Sequence, residues 1–150
     1  MLKSDIIPKF FKSEINMDLM SDSVDAHLFF IYIFLTIMLV NLYSVYNVNS
    51  FIKLAKRLKF LTPLYHTLNA IIIYTGTIVA FYAKTFSFTI LIMIAASIAV
   101  MVLEIKRFKK MRVIKVADTK LQEEFLQFSK KIYTIEIVII VVTYIISKIF

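Results

Sequence analysis

The stretch TPLYHTLNAIIIYTGTIVAFYAK, residues 62–84, decides the fold. It is a long apolar run, and one of its helical faces carries small and polar residues. A run of roughly 20 apolar residues, at about 1.5 Å per residue in a helix, matches the hydrocarbon core of a bilayer. At helical spacing, one face of this run presents His66, Asn69, Ile73, Gly76 and Ala80. Small and polar residues of a membrane span usually face other helices, so the stripe predicts neighbouring spans that pack against it.

The composition of the whole chain favours the same conclusion. Sixty per cent of the 150 residues are hydrophobic, which is too much apolar surface for an ordinary soluble domain. One glycine and two prolines are too few for a turn-rich β protein, and the absence of cysteine excludes disulfides and thiolate metal sites. The net charge of +8 accompanies apolar spans, so we expect contact with anionic lipids and no nucleic-acid partner.

The order of apolar and polar segments predicts an all-α bundle of four transmembrane helices. Its spans cover about residues 27–48, 63–83, 86–104 and 132–149, within a membrane domain of residues 27–150. Residues 1–26 form an N-terminal tail, either an amphipathic helix on the membrane surface or a partly ordered segment. The basic connection 49–61 is expected to be an amphipathic helix that leads into span 2, and the long connection 104–131 is expected to be helical at both ends.

The distribution of cations predicts the orientation. If both termini lie outside, the two cytoplasmic connections hold thirteen of the 18 Lys and Arg residues. These are Lys53, Lys56, Arg57, Lys59, Lys106, Arg107, Lys109, Lys110, Arg112, Lys115, Lys120, Lys130 and Lys131. Cytoplasmic loops carry the excess of positive charge, so we predict both termini outside, in the inner membrane of a bacterial cell.

Two stripes predict how the spans pack. We expect Gly76 and Ala80 of span 2 to approach a neighbour closely, at the Ala95 and Ala99 region of span 3. Span 4 has an inward face that presents Tyr133, Glu136, Ile140, Thr143 and Ser147.

Ionisable residues inside a membrane are costly, and they are the first candidates for a functional site. His27 opens span 1, and it is either an interfacial residue or a haem ligand. His66 is a second candidate ligand, although the two histidines are expected near opposite ends of spans about 30 Å long, too far apart for one iron.

His66, Asn69 and Glu136 enter the membrane from the same side and predict an intramembrane polar cluster; the alternative for Glu136 is a side chain that reaches the membrane surface. We find no motif that assigns catalytic residues or a metal site other than haem.

Three segments resemble one protein family. They are AHLFFIYIF at the start of span 1, KLAKRLKFLTPLYHTLNAIIIYTG at the entry to span 2, and EEFLQFSKKIYTIEIVIIVVTYIISKIF at the end of the chain. Over residues 27–150 the chain is similar to the HemJ-type protoporphyrinogen oxidases and the related CopD-type copper-resistance membrane proteins. The resemblance implies a small bundle that binds haem b through His27, oxidises a porphyrinogen and passes electrons to a membrane acceptor.

We therefore predict a small inner-membrane protein that binds haem b and takes part in redox chemistry. The alternative is a non-catalytic helper or assembly subunit, which binds another membrane protein or a second copy of itself. The sequence leaves open whether the chain is an enzyme.

Overall fold

The computed structural model describes residues 9–83, 87–115 and 117–149, with side chains described from residue 17 onward. Helices form almost the whole of this part of the chain, and it contains no strand. They are α1 (Lys9–Tyr46), α2 (Phe51–Ala83), α3 (Phe88–Arg112) and α4 (Thr119–Ile149). The predicted all-α fold of four long helices is confirmed.

All four helices are long and apolar enough to cross a membrane. The candidate spans are Met17–Tyr46, Phe51–Ala83, Phe88–Arg112 and Thr119–Ile149. Large apolar side chains, among them Phe29, Phe81 and Val138, are exposed on the outer faces of the bundle. Such a surface suits contact with lipid, and the chain is a multi-pass membrane protein.

The helices form a ring in which each one packs against the next. α1 contacts α2 and α4, and α3 contacts the same two helices, with the α2–α3 contact the least extensive. α1 with α3, and α2 with α4, lie diagonally across the ring. Short connections bring the C-terminus of α1, the N-terminus of α2, the C-terminus of α3 and the N-terminus of α4 to one end. We call this the basic end, because it carries thirteen of the 18 Lys and Arg residues.

Two groups of buried apolar side chains fill the ring. The group at the basic end consists of Val45, Leu54, Leu58, Met111, Phe125 and Tyr133. The group deeper in the bundle consists of Phe34, Met38, Tyr65, Leu68 and Val100. Polar residues are buried between and beside these groups, and they define the interior sites described below.

In the part that the structure describes, the N-terminal segment is not a separate element. Residues 1–8 lie outside the described part of the chain, and from Lys9 the segment is continuous with the first span as α1. Residues 9–46 contain neither proline nor glycine, so nothing in this stretch breaks the helix. The predicted surface helix within residues 1–26 is therefore replaced, from Lys9 onward, by an extension of span 1.

The predicted connections at the basic end are mostly helical. Residues 51–62 are the first turns of α2, and Pro63 lies inside that helix rather than at its start. Pro63 removes one backbone hydrogen bond, yet the helix continues, and the Thr67 hydroxyl donates to the Pro63 carbonyl at 3.0 Å. In the predicted 104–131 connection, α3 continues to Arg112 and α4 begins at Thr119, so only residues 113–118 connect them.

Candidate functional site

All four helices line a cavity of about 340 Å³ in the half of the bundle away from the basic end. Its walls are mainly aliphatic, and its size lies at the lower end of the range for small-molecule sites. The polar residues on its walls include His27, Asn69, Thr77, Ser97, Thr143 and Tyr144. Small residues such as Gly76, Ala80 and Ala96 of α2 and α3 also line the cavity, and the contact between these two helices is the least extensive in the ring.

His27 is the cavity residue best suited to bind a ligand through its side chain. Its Nδ1 lies 2.8 Å from the Thr75 hydroxyl oxygen, and that hydroxyl also lies 2.9 Å from the Ile71 carbonyl oxygen. The hydroxyl has one proton; if it donates that proton to the carbonyl, Nδ1–H of His27 donates to Thr75. We infer from this network that the neutral ring carries its proton on Nδ1, which leaves a lone pair on Nε2.

Gly76, the chain's one glycine, makes room for this imidazole. A Cβ atom at position 76 would lie 3.1 Å from His27 Cε1, closer than ordinary packing allows. The predicted close contact of Gly76 with the Ala95 and Ala99 region of α3 is therefore wrong. The residue is small because the imidazole of α1 packs on it, and on the α3 side the same face of α2 borders the cavity.

Asn69 and Ser97 form a reciprocal pair beside the cavity, between α2 and α3. The Ser97 hydroxyl donates to Asn69 Oδ1 at 2.6 Å, and Asn69 Nδ2 donates to the Ser97 carbonyl at 3.2 Å. Both side chains are buried. Because each satisfies the other, this pair acts as a clasp between the two helices whose contact is otherwise least extensive.

Glu136 lies deeper toward the basic end and is fully buried. The Tyr65 hydroxyl donates to Glu136 Oε2 at 2.6 Å. The alternative of a Glu136 side chain reaching the membrane surface does not agree with this burial. The predicted inward face of α4 is confirmed, because Tyr133 and Glu136 are buried while Ile140, Thr143 and Ser147 line the cavity.

A buried ion pair lies next to Glu136. Arg107 Nε donates to Glu104 Oε2 at 2.7 Å, and Arg107 Nη2 donates to Glu104 Oε1 and to the Thr62 hydroxyl oxygen. The guanidinium carbon lies 5.1 Å from the centre of the Tyr133 ring, at cation–π distance. The pair therefore has a bidentate geometry and a polar contact to α2, the arrangement that a buried ion pair needs.

His66, Asn69 and Glu136 belong to different surroundings. Within the described residues, no hydrogen bond joins any two of them: Asn69 pairs with Ser97 and Glu136 with Tyr65. His66 is partly exposed and does not line the cavity. It lies ten residues from Gly76 on α2, or about 15 Å along the helix, so one iron cannot bind both His27 and His66.

Sequence reasoning missed Tyr65, Thr62, Thr75 and Ser97 as partners in these networks. The i, i+3 spacing of Glu104 and Arg107 was a readable signal of an ion pair within one helix. Tyrosine, threonine and serine are common in membrane spans, so only their neighbours in space distinguish these four. Comparison of the chain with protein-family models, curated proteins and solved structures finds no match.

Proposed function

We propose that this protein binds an apolar ligand in the membrane, in the cavity between its four helices, with His27 as the polar contact. One observation carries the proposal: the His27 imidazole lines an apolar cavity while Thr75 holds its Nδ1 at 2.8 Å. The resemblance described above makes haem b our first candidate ligand and a redox function of the porphyrinogen-oxidase type our first candidate activity.

The residues present fit haem b, and His27 would hold it. Haem proteins commonly hold the iron through a histidine Nε2 while the other ring nitrogen donates a hydrogen bond. Thr75 supplies that anchor for His27, Gly76 leaves space for the ring, and the aliphatic walls exclude water. Met93 also borders the cavity and offers a thioether, a known second ligand in other haem proteins. Bound haem would supply one-electron chemistry.

An absorption spectrum tests the haem proposal. Protein purified from membranes with adequate haem should show a Soret band, and His27→Ala should abolish it. His66→Ala is the matched control, because His66 lies outside the cavity, and it should keep the band. A colourless wild-type protein, or a band that survives His27→Ala, would exclude haem ligation by His27.

A helper role is our second candidate, and it would use part of the broad exposed apolar surface. Residues such as Tyr43, Tyr74 and Phe81 present large rings on the outside of the bundle, where another membrane protein or a second copy could pack. Crosslinking in native membranes, followed by purification in mild detergent, tests this role. A partner that stays bound to His27→Ala protein would support a function that does not need the cavity ligand.

We further propose that the basic end faces the cytoplasm of a bacterial cell and touches anionic lipid. Two cations there pack on aromatic rings: Lys110 Nζ lies 4.7 Å from the centre of Phe128, and Lys130 Nζ lies 4.5 Å from that of Tyr46. In this proposal the amines lie near the bilayer surface, where each would contribute about 1 kcal/mol of attraction to anionic headgroups. The protein should accordingly be more stable in anionic than in zwitterionic nanodiscs, and this difference should shrink at high salt.

A further inference from the structure

Five buried polar atoms in the described part of the chain have no hydrogen-bond partner. They are Asn41 Oδ1, Arg107 Nη1, Ser129 Oγ, Tyr133 Oη and Glu136 Oε1. The residues that carry them are all 1% exposed or less. Nearly all buried polar atoms in native proteins are paired, either with protein or with ordered water. Five unpaired atoms in one interior therefore point to internal water.

The residues that carry these atoms lie between the basic end and the cavity. Ser129, Tyr133 and Glu136 share one face of α4 at i, i+4 and i+7, a rise of about 10 Å. Arg107 of α3 lies over the Tyr133 ring. On α1, Asn41 lies between Met38, which packs in the same group as Tyr65, and Val45, which packs with Tyr133. Along α4, the three residues run from Glu136, one turn before the cavity residue Ile140, toward the basic end.

The charges in this interior do not balance while both carboxyl groups are ionised. The titratable groups that face Glu136 are Tyr65 on α2, Glu104 and Arg107 on α3, and Tyr133 on α4, while α1 contributes the neutral Asn41. Arg107 uses Nε and Nη2 on Glu104, so its charge is already matched. One carboxylate is left without a counter-charge at a site with no exposed surface, where an unpaired charge is costly.

We infer that Glu136 is a proton-binding site in an interior where internal water contacts it together with Tyr133 and Ser129. A proton from bulk solvent, passed on by this water, binds Glu136 Oε1, the oxygen that lacks a partner, while Tyr65 continues to donate to Oε2. The protonated Glu136, the Glu104 carboxylate and the Arg107 guanidinium then sum to zero charge. This site needs no ligand in the cavity, so it stands apart from the haem proposal.

Infrared spectroscopy of the protein in nanodiscs tests the site. Wild-type protein at neutral pH should show the carbonyl stretch of one protonated, buried carboxylic acid, and the band should shift in D₂O. Glu136→Gln should remove the band, and Glu124→Gln, at an exposed position on the same helix, should keep it. Absence of the band from wild-type protein would overturn the proposal without any need for a variant to fold. Persistence of the band in Glu136→Gln would place the proton elsewhere and also overturn it.

The charge balance leads to a second prediction, on the Glu136 band in a Glu104 variant. Glu104→Gln removes one carboxylate, so Arg107 then balances an ionised Glu136, and the Glu136 band should be lost although Glu136 itself is unchanged. Circular dichroism and gel filtration check that this variant keeps its helices and its size. A band that is unchanged in folded Glu104→Gln protein would contradict the charge balance and with it the proposed site.

Discussion

The Tyr65 hydroxyl donates a 2.6 Å hydrogen bond to Glu136, and the two residues lie on α2 and α4, the helices that face each other across the ring. Most contacts in the bundle join adjacent helices. This bond therefore spans the interior and ties opposite sides of the ring together.

Removal of that bond should destabilise the protein. Tyr65→Phe keeps the ring and deletes the hydroxyl, which leaves Glu136 Oε2 without its donor. We expect a loss of about 1–2 kcal/mol, at the upper end of values for hydrogen bonds between membrane helices because the partner is a buried carboxyl group. Thermal unfolding in detergent measures the effect. Tyr74→Phe, at an exposed position of the same helix, should unfold like wild type; equal losses for the two variants would contradict the prediction.

The contact between Gly76 and His27 should appear as a coupled pair of mutations. Gly76→Leu pushes a side chain into the space of the imidazole, and overpacking of this kind costs about 1–3 kcal/mol. His27→Ala empties that space, so Gly76→Leu should cost much less in a His27→Ala background. A double-mutant cycle on unfolding free energies measures the coupling. Additive effects would mean that Gly76 is small for another reason.

The buried ion pair should be far more sensitive to loss of one partner than to loss of both. Arg107→Gln leaves Glu104 charged and unpaired, and breaking a buried pair in this way typically costs about 3–5 kcal/mol. The double variant Glu104→Gln with Arg107→Gln leaves no unpaired charge between them and should recover part of that loss. Arg112→Gln, at an exposed position five residues further along α3, is the control. Thermal unfolding in detergent compares the single variants, the double variant and the control.

Reporter insertions test the orientation. The cation distribution predicts that reporters placed after Asn49 and after Ala117, both in connections at the basic end, will read as cytoplasmic. A reporter fused to the C-terminus of the chain should read as periplasmic. The reverse pattern in all three fusions would invert the predicted topology without changing the fold.

Local properties of the sequence were enough to predict the fold. Apolar length alone predicts four spans, because a helix must satisfy its backbone hydrogen bonds within itself to cross a bilayer. Helical periodicity also predicts the inward face of α4 from Tyr133 to Ser147. The helix ends were predicted less well. α1 includes residues assigned to a tail, because no proline or glycine interrupts residues 9–46, and α2 passes through Pro63, because Leu54 and Leu58 of its first turns are buried at the basic end.

The sequence by itself determined which residues enter the membrane and which faces of the helices are polar or small. Only the tertiary structure decided how those faces meet: Gly76 with His27 rather than α3, Glu136 with Tyr65 rather than His66, and Asn69 with Ser97. The physical reason is that apolar helices gain little from one another that lipid does not also provide. Their rotation and pairing therefore depend on a few close contacts and hydrogen bonds between residues far apart in the chain, which periodicity along one helix does not specify.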